Sequence, residues 1–202
     1  DWYARQLEQL GVEVRLNTFM EAGEISSFSA DLILLATGSY PPDTGFQKAI
    51  PHIEHLPGIE DGGFFSAEDV MARRARLGKR VLILDEGGNW KGCGTALKMA
   101  EEGHQVVLIT PDPLVGKELQ RTAADYPLRQ KLAQLEVRFI LESAITRWTP
   151  QGAEILSFLD GSTSFVEADS LVFATPNLAE DTLARELEDS GLKFLNIGDS
   201  AG

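Results

Sequence analysis

"RVLILDEGGNWKGCGTALKMAEEGHQVVLIT", residues 80–110, carries the reading of the fold. A short apolar run, Val81 to Leu84, ends in a glycine-rich loop. A helical segment follows, then Gly103, then a second apolar run from Val106 to Ile109. A strand, a glycine turn, a helix and a strand in that order are the opening of a dinucleotide-binding unit. The usual fingerprint there is G-x-G-x-x-G. Its first glycine makes the turn, its second admits the pyrophosphate, and its third lets helix pack on strand. The helix start then offers N–H donors and a positive dipole end to the phosphates.

The spacing departs from that pattern. Counting back from Gly103, the last glycine of the fingerprint falls at Gly92, followed by the small residues Gly94, Thr95 and Ala96. Counting forward from the strand, the first glycine falls where Asp85 stands. Gly92 lies seven residues beyond Asp85 instead of five, so the loop is two residues long and its turn glycine has become an aspartate. Asp85 is expected to set a carboxylate where a diphosphate comes closest. At roughly 4 Å two like charges repel by on the order of 1 kcal/mol in water, and by several times more in a partly buried site. Glu86 adds to this, and Trp90 is large enough to fill the cofactor's place. Against that, Gly87, Gly88, Gly92 and Gly94 still permit close backbone approach, and Lys91 can meet a phosphate. At the end of the next strand an Asp or Glu binds the ribose in NAD domains, and a nearby Arg serves NADP. Here Thr110 holds that position, Asp112 follows beyond Pro111, and no arginine is close. The loop therefore leaves two readings open: a nicotinamide-binding turn, or a connection that keeps the fold and has lost the ligand.

The rest of the chain is organised around a duplication. "QLGVEVRLNT" (9–18) matches "QLEVRFILES" (134–143) in pattern, and "ADLILLATG" (30–38) matches "ADSLVFATP" (168–176). Two matches in the same order indicate a repeated unit. In the first copy Trp2, Leu7 and Leu10 share helical spacing, Val12, Val14 and Leu16 alternate as a strand does, and Leu32 to Leu35 is a continuous buried strand. A loop spans 43–61, and Ser66 caps a helix expected over 67–77. The second copy is expected to run strand 80–85, helix 92–102, strand 105–110 and helix 124–135. Antiparallel strands turning at 150–152 and 160–161 come next, then the buried strand 170–175. A helix over 179–189 and the strand of "KFLNIGDSAG" close the chain.

Strands alternating with helices predict an α/β fold: a Rossmann-like parallel sheet with helices on both faces, plus a β-meander. The expected division is a partial second α/β domain with linker over 1–78, the nucleotide-type domain over 79–177, and a return to the partial domain over 178–202. The first copy lacks a glycine-rich opening strand of its own, so the chain is expected to be a fragment of a longer protein.

Composition narrows the functions. The net charge of −13 leaves no basic face for nucleic acid. No apolar run is long enough for a membrane span and no signal peptide is visible, so a cytoplasmic location is expected. One cysteine, Cys93, and three histidines make neither a disulfide nor a metal site. No nucleophile–base pair or catalytic carboxylate pair is visible, and no catalytic residue is assigned. Cys93 at a helix start is read as a packed small residue in preference to a reactive thiol.

Together, residues 80–110, the paired A-T-G and A-T-P strands and the final "LNIGDSAG" resemble the C-terminal half of flavoenzymes related to trimethylamine dehydrogenase and 2,4-dienoyl-CoA reductase. "PLVGKELQRTAADYPLRQKLAQLEVRF" (113–139) is similar to the amine dehydrogenase side. The resemblance implies an absent N-terminal barrel carrying FMN and a 4Fe-4S cluster, followed by domains of the FAD and NAD(P)H types found in disulfide reductases. In the reductase branch the second domain takes NADPH. In the amine dehydrogenase branch it takes no nicotinamide, FAD or ADP sits in the other domain, and an electron-transfer protein is the partner of the assembled flavoenzyme. The long, acid-bearing loop is closer to that second branch. The resemblance also implies that Gly198 and Asp199 form the turn that meets the flavin's ribityl or sugar-phosphate, and that Thr37 and Gly38 lie where close backbone packing marks a domain crossover.

Overall fold

A computed structural model describes residues 2–201. Along the chain lie α1 (Trp2–Gln9), α2 (Ala22–Ser27), β1 (Ile33–Leu35), β2 (Ser39–Tyr40), β3 (Phe64–Ser66), α3 (Ala67–Met71), β4 (Arg80–Asp85) and α4 (Trp90–Glu101). They are followed by β5 (Gln105–Ile109), α5 (Asp125–Gln134), β6 (Arg138–Ile140), β7 (Ser143–Thr149), β8 (Gly152–Ser157), β9 (Thr163–Glu167), β10 (Ser170–Ala174), β11 (Leu178–Ala179), α6 (Thr182–Asp189) and β12 (Phe194–Asn196). Two compact units result: residues 40–178, and residues 1–39 with 179–202.

The larger unit is an α/β domain on a five-stranded parallel sheet of order β3-β10-β4-β5-β6. Its strands read as continuous apolar runs because both faces are covered. Along β4, Val81 and Ile83 join the core under α3, α4 and α5, with Ala96, Met99, Leu128 and Leu132. Leu82 and Leu84 point the other way, into a core with Ile145, Trp148, Ile155 and Phe173. That second face is covered by the antiparallel meander β7-β8-β9, by Leu56 and by Ile59 at the start of a short 3-10 turn, and not by α-helices. The expectation of helices on both faces is corrected here: the strand pattern reports that a face is buried, not what buries it.

The 43–61 segment is packed rather than loose. Gln47, 1% exposed, donates from Nε2 to the Ile145 carbonyl at 2.6 Å and accepts from the Ile145 N–H at 2.9 Å. A primary amide completes the strand's hydrogen bonding there as another strand would. Ser66 caps α3 by accepting from the Asp69 N–H at 3.0 Å. The helix is shorter than expected, since it stops at Met71 and Arg73 takes φ +58°.

In the smaller unit β1 pairs in parallel with β12, and Ala22, Leu35, Ala184 and Leu187 form its core. Val12, Val14 and Leu16 are exposed and form no strand. Alternation alone did not suffice, because no described strand pairs with them.

The duplication extends to strand register. Ile33, Leu34 and Leu35 face Phe194, Leu195 and Asn196 in the smaller unit. In the larger unit Leu171, Val172 and Phe173 face Phe64, Phe65 and Ser66. With "ADLILLATG" laid on "ADSLVFATP", these pairings coincide, and "FLNIGD" (194–199) falls on "FFSAED" (64–69). β10 has a second partner, β4, on its other edge. β1 has only β12 among the described residues, and Leu32, Leu34 and Leu195 are each more than half exposed.

Candidate functional site

The glycine turn leaves β4 at Asp85, at the carboxyl ends of the parallel strands where ligands of open α/β sheets bind. Asp85 is fully buried. Its Oδ1 accepts from the N–H groups of Gly87 (3.1 Å) and Gly88 (2.9 Å). Its Oδ2 accepts from the Cys93 thiol at 3.6 Å. A Cβ added to Gly92 would lie 2.3 Å from the Asp85 Cγ, so the first turn of α4 needs a glycine there to admit the carboxylate. The expectation that Asp85 confronts an incoming diphosphate is corrected in mechanism: the carboxylate lies inside the turn and draws the turn's N–H groups inward.

The helix start is closed in the same way. Asn89 is the N-cap of α4, and its Oδ1 accepts from the Lys91 N–H at 2.8 Å. The helix therefore begins at Trp90 and not at Gly92 as expected, and the preference for Asn at the N-cap is the sequence signal for that start. The Lys91 ammonium is committed to the Thr175 carbonyl (2.8 Å), Asn177 Oδ1 (2.6 Å) and Glu68 Oε1 (2.8 Å). The other carboxylate oxygen of Glu68 is buried with no hydrogen-bond partner. Trp90 does not plug the turn. It is 56% exposed and lines a surface cleft of about 310 Å³ with Ala67, Glu68, Met71, Lys91 and Thr95. A Cβ added to Gly94 would lie 3.8 Å from the Trp90 ring, an ordinary contact.

The far side of the turn is covered by the chain after β5. The Glu118 N–H donates to the Gly88 carbonyl at 2.9 Å, and a Cβ on Gly88 would stand 3.3 Å from that of Lys117. Lys117 is paired with Asp112 at 2.8 Å. Thr110, at the ribose position, is buried, and its hydroxyl accepts from the Asp112 N–H at 3.2 Å. Glu86 accepts from the N–H groups of Lys48 and Ala49, both at 3.1 Å, and so fastens the 43–61 segment to the exit of β4.

Gly198 and Asp199 belong to the smaller unit. Gly198 takes φ +66°, and the exposed Asp199 accepts from the Ser39 hydroxyl at 3.4 Å. Thr37 donates to the Glu180 carbonyl at 2.6 Å, and the Glu180 N–H donates to Gly38 at 3.0 Å. Among the described residues no three His, Cys, Asp or Glu side chains are placed to hold a metal ion, and no helix is long and apolar enough to cross a membrane.

Electrostatics follow from burial. Desolvation pushes the Asp85 carboxyl up to about 6; the Gly88 N–H, the Cys93 thiol and the Gly87 N–H pull it down, and Asp112 raises it. Burial, then the Asp85 carboxylate, raises the Cys93 thiol, which stays protonated and unreactive. Burial likewise raises Glu86 against the N–H groups of Lys48 and Ala49. With a folded value of about 6 above an ordinary 3.8, Asp85's stabilising contribution is complete below its ordinary range and is lost as pH rises through 6. The loss is at most about 3 kcal/mol. Asp85→Asn removes it. In urea melts the variant is therefore expected to gain on the wild type between pH 4.5 and 7.5, and a difference constant with pH would contradict the burial argument.

The chain matches the pyridine nucleotide-disulphide oxidoreductase family over residues 8–199. It is similar to the cinnamate reductase of Clostridium sporogenes, 33% identical over 98% of this chain and 28% of that protein. It is also similar to the NADH oxidase of Thermoanaerobacter brockii, 27% identical over 99% of this chain and 29% of that protein. Among solved structures, the 6-hydroxypseudooxynicotine amine oxidase of Pseudomonas geniculata superposes with a TM-score of 0.90 at 24% identity, over all of this chain and 31% of its own. The chain thus spans less than a third of the length of each.

Proposed function

The chain belongs to the pyridine nucleotide-disulphide oxidoreductase family, and on that premise we propose that it is the dinucleotide-fold region of a larger, cytoplasmic flavin oxidoreductase of the trimethylamine dehydrogenase type. The nicotinamide-type domain, expected over 79–177, also takes in the 40–78 segment that supplies β3 to the same sheet, and its nicotinamide binding is weakened or lost. Residues 1–39 and 179–202 contribute to an FAD-type domain that holds FAD or ADP, with Gly198 and Asp199 at its sugar-phosphate. FMN and a 4Fe-4S cluster belong to the N-terminal part, and electrons leave to an electron-transfer protein.

One observation carries this reading: the N–H groups of Gly87, Gly88 and Lys91, which a pyrophosphate needs, already serve Asp85 and Asn89. The residues present do not fit a nicotinamide dinucleotide, because the turn offers it no free donor among these three and the nearby ammonium groups of Lys91 and Lys117 are paired. The smaller unit supports the larger-protein reading. The repeat gives β10 a strand on each edge, whereas among the described residues β1 has no counterpart of β4. This region carries no chemistry of its own; the flavin and cluster supply it.

Calorimetric titration of the chain with NADPH and NADH at millimolar concentration tests the proposal. No binding heat and no rise in melting temperature is the expected result. A second reading, an NADPH domain feeding hydride to FAD as in 2,4-dienoyl-CoA reductase, is favoured by the retained Gly87, Gly88, Gly92 and Gly94. It requires saturable binding in the same experiment.

A further inference from the structure

We propose that Asp85 is the residue that decides what the glycine turn binds: its carboxylate is the turn's resident anion, and it refuses phosphate by occupying the donors rather than by repelling it. The inference rests on the reading that the turn holds no nicotinamide, and it assigns that property to one side chain.

The geometry distinguishes occupancy from repulsion. A carboxylate acting through its field would face the ligand, but Asp85 is wholly buried. One of its oxygens takes two successive backbone N–H groups and the other takes a thiol. Two N–H groups converging on one oxygen are the arrangement that a glycine turn offers a phosphate. The surroundings fit the internal carboxylate. Gly92 leaves the space that any Cβ would close, at 2.3 Å from Cγ and 2.5 Å from Oδ1. The two extra residues of the turn give the backbone the length to wrap around it. Gly88 takes φ +57° at little cost to glycine, and the carboxylate holds its N–H at 2.9 Å. Asn89 does the same for the Lys91 N–H.

Three variants separate the alternatives, with inorganic pyrophosphate as the probe and calorimetry as the readout. The wild-type chain is expected to give no heat. Asp85→Gly restores the fingerprint's first glycine and frees two donors, and Asp85→Gly with Asn89→Gly frees the third. These variants are expected to bind on the order of tenfold or more tightly than the wild type, with the Gly87 and Gly88 amide resonances moving on saturation. Asp85→Asn loses the charge but keeps an oxygen for both N–H groups, and is expected to stay silent. Binding by Asp85→Asn would show that charge was the barrier and would overturn the inference. So would silence from both glycine variants while circular dichroism shows them folded; the reading above would then survive, since the wild type is silent too. If the wild type itself binds NADPH or pyrophosphate at Gly87 and Gly88, reading and inference fall together. Should the glycine variants not fold, Asp85→Asn decides: silence supports occupancy, and binding refutes it.

Discussion

Gly92→Ala is expected to lower the stability of the chain by about 3 kcal/mol and to open the glycine turn. The new methyl would lie 2.3 to 2.7 Å from the Cγ, Oδ1 and Cβ of Asp85, well inside contact distance. Asp85 has no exposed direction in which to withdraw. Moving it strips the acceptor from the N–H groups of Gly87 and Gly88 and the Cys93 thiol. Each backbone donor left unpaired in a buried site costs about 1–3 kcal/mol, which outweighs the few tenths to 1 kcal/mol by which alanine favours a helix over glycine. Urea unfolding of a double-mutant cycle with Asp85→Gly isolates the effect. In the Asp85→Gly background the methyl meets no carboxylate, so the second substitution is expected to cost little or to stabilise. Equal costs in both backgrounds would mean that the two residues are not in contact as described.

The second large effect lies on the opposite face of the sheet. Trp148 is 1% exposed within the core shared by β4, β10 and the meander. Its indole N–H donates to the Gly62 carbonyl at 2.7 Å, and its backbone N–H to Pro57 at 2.9 Å. The chain passes so close that a Cβ on Gly58 would meet the Trp148 carbonyl oxygen. Trp148→Ala removes the largest buried side chain of that core and is expected to cost about 4 kcal/mol, in the range for emptying an aromatic site. Trp148→Phe keeps most of the volume and leaves only the Gly62 carbonyl unpaired, so about half that loss is expected. Equilibrium unfolding by fluorescence or circular dichroism measures both. A cost below 1 kcal/mol for the alanine variant would show that the meander is not packed on the sheet through this residue.

How much of this was legible in the residues differs from element to element, and the differences have physical causes. β4, β5 and β10 could be read because a strand buried on both faces has no choice but to be apolar throughout. The meander could be read from its turns, since Gly152 and Gly161 both take positive φ and few other residues do so cheaply. What covers the second face could not, because an apolar run is indifferent to whether a helix or a sheet lies on it. Val12, Val14 and Leu16 show the limit of alternation: among the described residues no strand lies beside them for the period to pair with. At the turn, the replacement of the first glycine by Asp85 was visible, as was the added length. The direction of the carboxylate was not, since it depends on Gly92 and Cys93 lying across a loop whose path is set by packing. The role of Gln47 left no trace at all in sequence, because an amide that substitutes for a strand is recognised only by the Ile145 backbone beside it.

The donors of the glycine turn are spent within the protein. The most direct test is a ¹H–¹⁵N spectrum of the labelled chain during titration with NADPH, followed at the amides of Gly87, Gly88 and Lys91. These resonances are expected to stay in place to millimolar cofactor and to exchange slowly with solvent deuterium. Saturable shifts at those three amides, with the cofactor's phosphates close to them, would contradict it.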